Sequence, residues 1–159
     1  MITSRAATAE QLSARLITTD LKETRVRDLL GQPLVLAFFP AAFTSVCTTE
    51  MCTFRDSLAQ FNTLNAKVYG ISIDLPYALQ AFGEKNNLSF PLLSDMEREA
   101  IRAFDVVWPL LGGMVKEVAS RAVFVLDPDG NIVYRWVGES PANEPPYPEV
   151  VKAVESLAA

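Results

Sequence analysis

The sequence predicts an α/β fold with a central mixed β-sheet and helices on both of its faces. Two continuous apolar runs of strand length, residues 34–39 (LVLAFF) and 68–73 (VYGISI), flank a segment with helical spacing. Two further strand patterns near the C-terminus are joined by Asp127-Pro128-Asp129-Gly130, a strong hairpin signal. Strands that are apolar without alternation are covered on both faces, as in parallel sheets between layers of helices.

In chain order, residues 1–20 carry little pattern and are expected to form a peripheral strand or hairpin. The run 34–39 is the first central strand. Residues 44–65 contain no Gly or Pro and place Val46, Met51, Phe54, Leu58 and Phe61 at helical spacing, which predicts one helix. The run 68–73 is the second central strand, and residues 76–86 form a helix with Asp74 as its cap. A short strand at 90–93 and a helix at 97–104 follow. Residues 122–126 and 132–137 form the hairpin strands. Glu144-Pro145-Pro146-Tyr147 reads as a loop into a last helix at 148–157, whose apolar face is Val150, Val151, Val154 and Leu157. A β-α-β unit, then a β-hairpin and a terminal helix, is the order of a thioredoxin-like core. The 159 residues show no repeat or linker and predict a single domain spanning 1–159.

Composition removes several function classes. Half of the residues are hydrophobic and 21% are charged, as in ordinary globular proteins. The longest apolar stretch, residues 34–46, is interrupted by Pro40, Thr44 and Ser45 and is too short for a bilayer, which needs about 20 apolar residues. No apolar run follows Arg5, and Glu10 interrupts the Ser/Thr/Ala/Arg leader, so the expected location is cytoplasmic, with no membrane partner. The net charge is −5 and the basic residues are scattered, which argues against a nucleic-acid partner. There is no histidine, so Ser-His and Cys-His nucleophiles and most zinc sites are excluded. Two cysteines are too few for a disulfide scaffold or a four-ligand metal cage.

The chemistry concentrates in Pro40-Ala41-Ala42-Phe43-Thr44-Ser45-Val46-Cys47, which runs from a strand end through a loop into a helix start. Ligands of open α/β sheets bind at such carboxyl ends of strands. Cys47 lies near the first helical turn, where outward N–H groups and the positive dipole end favour a thiolate. Thr44, three residues earlier, can bring its hydroxyl to the sulfur or to a bound oxygen. Pro40 fixes the loop entrance and shields the thiol. By itself Cys47 reads sooner as a buried structural cysteine, and it is the Pro40/Thr44/Cys47 spacing that favours the reactive reading. Phe43, Trp108 and Leu110 read either as a pocket rim or contact surface, or as core. Gly112-Gly113-Met114 is a flexible loop or a tight turn.

The pattern Pro-x-x-x-Thr-x-x-Cys, here PAAFTSVC, resembles the active-site signature of the peroxiredoxins. Its continuation from Cys47 to Asp56, CTTEMCTFRD, closely resembles the peroxiredoxin Q group, also called bacterioferritin-comigratory proteins. LVLAFFP before the signature and SRAVFVLDPDGNIVYRW after it are laid out as in that group, and the resemblance covers most of residues 15–157. The sequence departs from it at Ser45-Val46, where Pro-Gly is common. It lacks the glycine motif of the typical two-cysteine peroxiredoxins, and no cysteine follows Cys52.

The resemblance implies a thiol-dependent peroxidase acting on hydrogen peroxide and organic hydroperoxides, with no metal or organic cofactor. It makes Cys47 the peroxidatic cysteine and Cys52, five residues on, the resolving one. It implies that Thr44 bonds the peroxide, Pro40 shapes the pocket and Arg121 is the active-site arginine. It further implies recycling by a thioredoxin-like dithiol reductant, in a monomer or a homodimer. A one-cysteine enzyme recycled by an outside thiol, and a non-catalytic peroxide sensor or holdase, are the competing readings. Glu50, three residues after Cys47, would disfavour a thiolate if left unpaired. It is therefore expected to pair with Arg121, the alternative being an acid held by the helix dipole alone. Residues five apart in a helix rise about 7.5 Å and place their Cα atoms about 8–9 Å apart. A disulfide needs about 4.4–6.8 Å, so a bond between Cys47 and Cys52 requires the first turns to unwind.

Overall fold

The computed structural model describes residues 2–157. Eight strands form one mixed sheet in the order β1-β10-β9-β4-β5-β6-β2-β3. Their ranges are β1 Ile2–Ala6, β2 Arg15–Thr18, β3 Glu23–Arg25, β4 Leu34–Phe38, β5 Lys67–Ser72, β6 Leu92–Ser94, β9 Ala122–Leu126 and β10 Asn131–Val137. β4, β5 and β6 run parallel, whereas β9 pairs with β4 antiparallel and β10 with β9 antiparallel. The helices are α1 Ala9–Ser13, α2 Ser45–Asp56, α3 Leu58–Thr63, α4 Pro76–Lys85, α5 Glu99–Ala103 and α6 Tyr147–Glu155. β7 Val107–Leu111 and β8 Val115–Ala119 form a separate two-stranded ribbon.

The unbroken apolar run of β4 follows from its central place. Val35, Ala37 and Phe39 face a core shared with Met51 and Phe54 of α2, Leu79 and Phe82 of α4 and Val150 and Val154 of α6. Leu34, Leu36 and Phe38 face the opposite core, with Ile101 of α5, Phe104 and Leu16. Helices thus cover both faces, as the sequence predicts for a thioredoxin-like sheet.

Differences from the sequence reading lie at element ends and at the edges. The helix expected over 44–65 is two helices that meet at Ser57, whose φ of −95° and ψ of 0° depart from helical values and which makes no side-chain cap bond. Residues 2–18 hold β1, α1 and β2 rather than one strand or hairpin. Asp74 does not cap α4: the residue preceding that helix is Leu75, and it makes no side-chain cap bond. The ribbon β7–β8 escaped the sequence reading. Gly112 and Gly113 form its tight turn with φ of +59° and +73°, the two positive values that a type I′ hairpin turn requires. Among the described residues, no helix is long and apolar enough to cross a membrane.

Gly70 on β5 seats α2. A Cβ there would lie 2.6 Å from Leu92 Cδ2 and 2.9 Å from Met51 Sδ. Gly70→Ala is therefore expected to destabilise the protein by about 1–3 kcal/mol through overpacking. Urea unfolding of the two proteins measures it, and equal midpoints would show that α2 can move aside without cost.

Candidate active site

The pairing of Phe38 with Ala122 sets the start of β9 beside the end of β4. Arg121, one residue before β9, therefore meets the loop that leaves β4 and the first turns of α2. Pro40 begins that loop. Asp74 Oδ2 accepts the Ala42 N–H at 2.8 Å and the Ser72 hydroxyl at 2.6 Å, which ties the loop to the end of β5. Phe43 adopts a φ of +69°, and its ring sits edge-on against Phe82 of α4, with centroids 5.2 Å apart. Thr44 is the residue before α2 and Cys47 lies in the helix's first turn.

Arg121 is 2% exposed, and each of its three nitrogens donates a hydrogen bond. Nη2 reaches Cys47 Sγ at 3.1 Å, Nη1 reaches Glu50 Oε1 at 2.7 Å, and Nε reaches the Pro141 carbonyl at 2.9 Å. Cys47 and Glu50 are both buried. The pairing of Glu50 with Arg121 is thus present, in place of an acid held by the dipole alone. Glu50 Oε2 has no hydrogen-bond partner and is buried. Burial pushes the Glu50 carboxyl up to about 8, against the opposing pull of Arg121. Burial also works against the charge on Arg121, but Glu50 and Cys47 outweigh it and its pKa is raised.

The Thr44 hydroxyl donates to the Ala41 carbonyl at 2.8 Å. With its proton on Ala41 the hydroxyl keeps lone pairs for a ligand, and rotation about its C–O bond frees the proton to donate. Pro40, Thr44, Cys47 and Arg121 line one cavity of about 370 Å³, with Val46, Leu111 and Pro141 among its apolar walls. Sequence reasoning missed Leu111 and Pro141, for the ribbon and the loop after β10 carry no chemical signal. Phe43 and Leu110 are exposed and Trp108 is half-buried, so none of the three is core.

Cys52 does not share this pocket. It is a free, half-buried cysteine on α2, and its thiol donates to Asn86 Oδ1 at 3.8 Å. Cys47 is also free. One unbroken helix carries both sulfurs, so the unwinding expected from their spacing would be required for any bond between them.

Residues 5–135 match the AhpC/TSA family. The chain belongs to that family. Peroxiredoxin Bcp of Bacillus subtilis is 40% identical over 114 residues, covering 70% of this chain and 72% of that protein. A putative peroxiredoxin of Mycobacterium tuberculosis is 39% identical over 119 residues, covering 72% of this chain and 73% of that one. The solved bacterioferritin comigratory protein of Xanthomonas campestris, studied for alkyl peroxide reduction, superposes with a TM-score of 0.84 at 28% identity over 100% of both chains. The resemblance read from PAAFTSVC is therefore to the chain's own family. The Arg121 cluster sits where this peroxiredoxin begins α2.

The raised Glu50 carboxyl has a consequence for stability. The folded protein holds this proton more tightly than the unfolded chain, whose carboxyl titrates near an ordinary 4.5. Stability should then fall as pH rises from 4.5 to about 8, by at most about 1.4 kcal/mol per pH unit. Glu50→Gln cannot titrate and lacks this slope. Urea unfolding of both proteins across that range tests it, and parallel pH profiles would count against a raised Glu50.

Proposed function

We propose that this peroxiredoxin reduces hydrogen peroxide and organic hydroperoxides with the Cys47 thiolate, closes a disulfide to Cys52, and is recycled by a thioredoxin-like dithiol. The observation that carries the reading is Arg121 Nη2 at 3.1 Å from Cys47 Sγ, on a cavity that Thr44 also lines. A guanidinium is permanently charged and its donors are fixed in a fork, so one arm can stabilise the sulfur anion as another is held by Glu50. The peroxide hydroxyl donates to the free lone pairs of Thr44, and its oxygens lie against Arg121. The apolar walls at Val46 and Leu111 suit the organic part of a hydroperoxide.

In the first step the sulfur attacks the terminal peroxide oxygen. The S–O bond forms, the O–O bond breaks, and the departing oxyanion takes a proton to leave as water or an alcohol. Cys47 becomes a sulfenic acid. The sulfur is then neutral, and Arg121 keeps its bond to Glu50 but has no sulfur anion to stabilise. In the second step Cys52 attacks the sulfenic sulfur, an S–S bond forms and water leaves. The helical separation of the cysteines requires the first turn of α2 to unwind. That turn has one buried side chain, Cys47, and its cap residue Thr44 makes no side-chain cap bond. An external dithiol then restores both thiols by two exchanges.

Mass spectrometry after one equivalent of peroxide is the test. Wild type should lose two hydrogens and show no free thiol. Cys52→Ser should stop at a sulfenic acid, and Cys47→Ser should show no peroxidase turnover above the uncatalysed rate. Full activity in Cys47→Ser would sink the proposal. A wild type that keeps a free Cys52 through turnover would favour the one-cysteine enzyme. Loss of catalytic turnover with every dithiol reductant would favour a stoichiometric sensor.

A further inference from the structure

Cys52 and Arg55 converge on one residue of another helix end. The Cys52 thiol donates to Asn86 Oδ1 at 3.8 Å, just past the C-terminus of α4. Arg55 Nη1 donates to the Asn86 carbonyl oxygen at 2.6 Å, and Arg55 Nε donates to Asp56 at 3.0 Å. Residues three apart share a helix face, so the guanidinium and the sulfur lie side by side over Asn86. The hydrogen bond to Asp56 holds the Arg55 pKa up against partial burial, and the Cys52 sulfur adds to the rise.

The two ends of α2 differ in what anchors them. Residues 45–49 bury only Cys47, whereas residues 50–56 bury Glu50, Met51 and Phe54 and carry the Arg55 bond to Asn86. Unwinding confined to the N-terminal end would leave Cys52 and Arg55 in place and let Cys47 move toward them.

We infer that Arg55 is a positioning residue for the resolving step, anchoring the C-terminal half of α2 on Asn86 and keeping a positive charge beside Cys52. This rests on the reading of Cys52 as the resolving thiol. The Cys52 thiolate attacks Cys47, the S–S bond forms, the S–O bond breaks, and the hydroxide takes a proton and leaves as water. The two oxidising equivalents come from the peroxide already consumed, so no further oxidant is needed. The thiolate is the attacking species, and the shared contact with Asn86 holds the Arg55 guanidinium beside it.

The experiment follows both steps in the full chain after a peroxide pulse, by rapid quench with a sulfenic-acid trap and mass spectrometry. It reads the ratio of the disulfide-forming rate to the sulfenic-forming rate within each protein, so that a general loss of folded enzyme scales both. Arg55→Gln should lower the ratio by about three- to tenfold and leave more sulfinic acid on Cys47 at excess peroxide. Arg55→Lys, which keeps the charge, should restore most of the ratio. If Arg55 were only a latch, Arg55→Gln would free the helix and close the disulfide faster, which overturns the inference. So does an Arg55→Lys ratio as low as that of Arg55→Gln. Absence of any internal disulfide in wild type removes the resolving role of Cys52 and this inference with it. A normal wild-type disulfide with an unaltered Arg55→Gln ratio overturns the inference alone.

Discussion

One buried guanidinium serves two acids, and the rest of the site is arranged around that fact. Arg121 donates to Cys47 Sγ and Glu50 Oε1 from its two terminal nitrogens, and its third donor is fixed on Pro141. Burying a charge is costly unless it is paired, and burying a second anion beside one cation leaves a net charge with nothing to balance it. A single cation therefore supports one full anion at a time. Burial pushes the Glu50 carboxyl up, against the opposing pull of Arg121, so it holds its proton more tightly than an exposed carboxyl does. The positive charge of Arg121 is then available to a sulfur anion. Glu50 is in this way an orienting partner for the guanidinium rather than a competitor for its charge.

The fold supplies the fixed positions this balance needs. Antiparallel pairing of β9 with β4 sets Arg121 beside the loop that precedes α2. Asp74 holds that loop from the end of β5 through the Ala42 N–H. Phe43, in a left-handed conformation uncommon for a bulky residue, is seated against Phe82. Close packing of Gly70 under Met51 sets the height of α2 over the sheet. Each contact is local, but all bear on where one sulfur and one guanidinium meet.

Much of this was legible in the sequence, and the remainder has physical reasons for being hidden. The apolar runs of β4 and β5 announce strands covered on both faces, and Asp127 to Gly130 announces a hairpin. PAAFTSVC names the loop, its proline, its threonine and its thiol. The pairing of Glu50 with Arg121 was reachable by asking what a carboxylate near a reactive thiol would need. The break at Ser57 was not, since neither Gly nor Pro marks it. Asp74 looked like a helix cap because caps and loop anchors use the same side chain, and only the tertiary position of Ala42 separates them. Leu111 and Pro141 reach the pocket from segments distant in sequence, whose composition carries no mark of chemistry. Asn86 is likewise invisible as a meeting point for Cys52 and Arg55, because nothing in a helix end says which neighbour will rest on it.

The charge balance and the mechanics of α2 are linked. Arg121 gains most from Cys47 when the sulfur is an anion, and oxidation to the sulfenic acid removes that charge. In the proposed cycle this would weaken the contact between Arg121 and the first turn of α2 at the stage when a disulfide to Cys52 would need that turn to open. Nothing equivalent happens at the other end of the helix, where buried Met51 and Phe54 and the Arg55 bond to Asn86 do not depend on the redox state of Cys47. Under the proposed cycle the same helix would be rigid where it presents the reduced thiol and yielding where an oxidised Cys47 would move toward Cys52. A stronger N-terminal cap at Thr44 would protect the first condition at the expense of the second. The Thr44 hydroxyl, turned to Ala41 rather than to the helix, is consistent with that compromise.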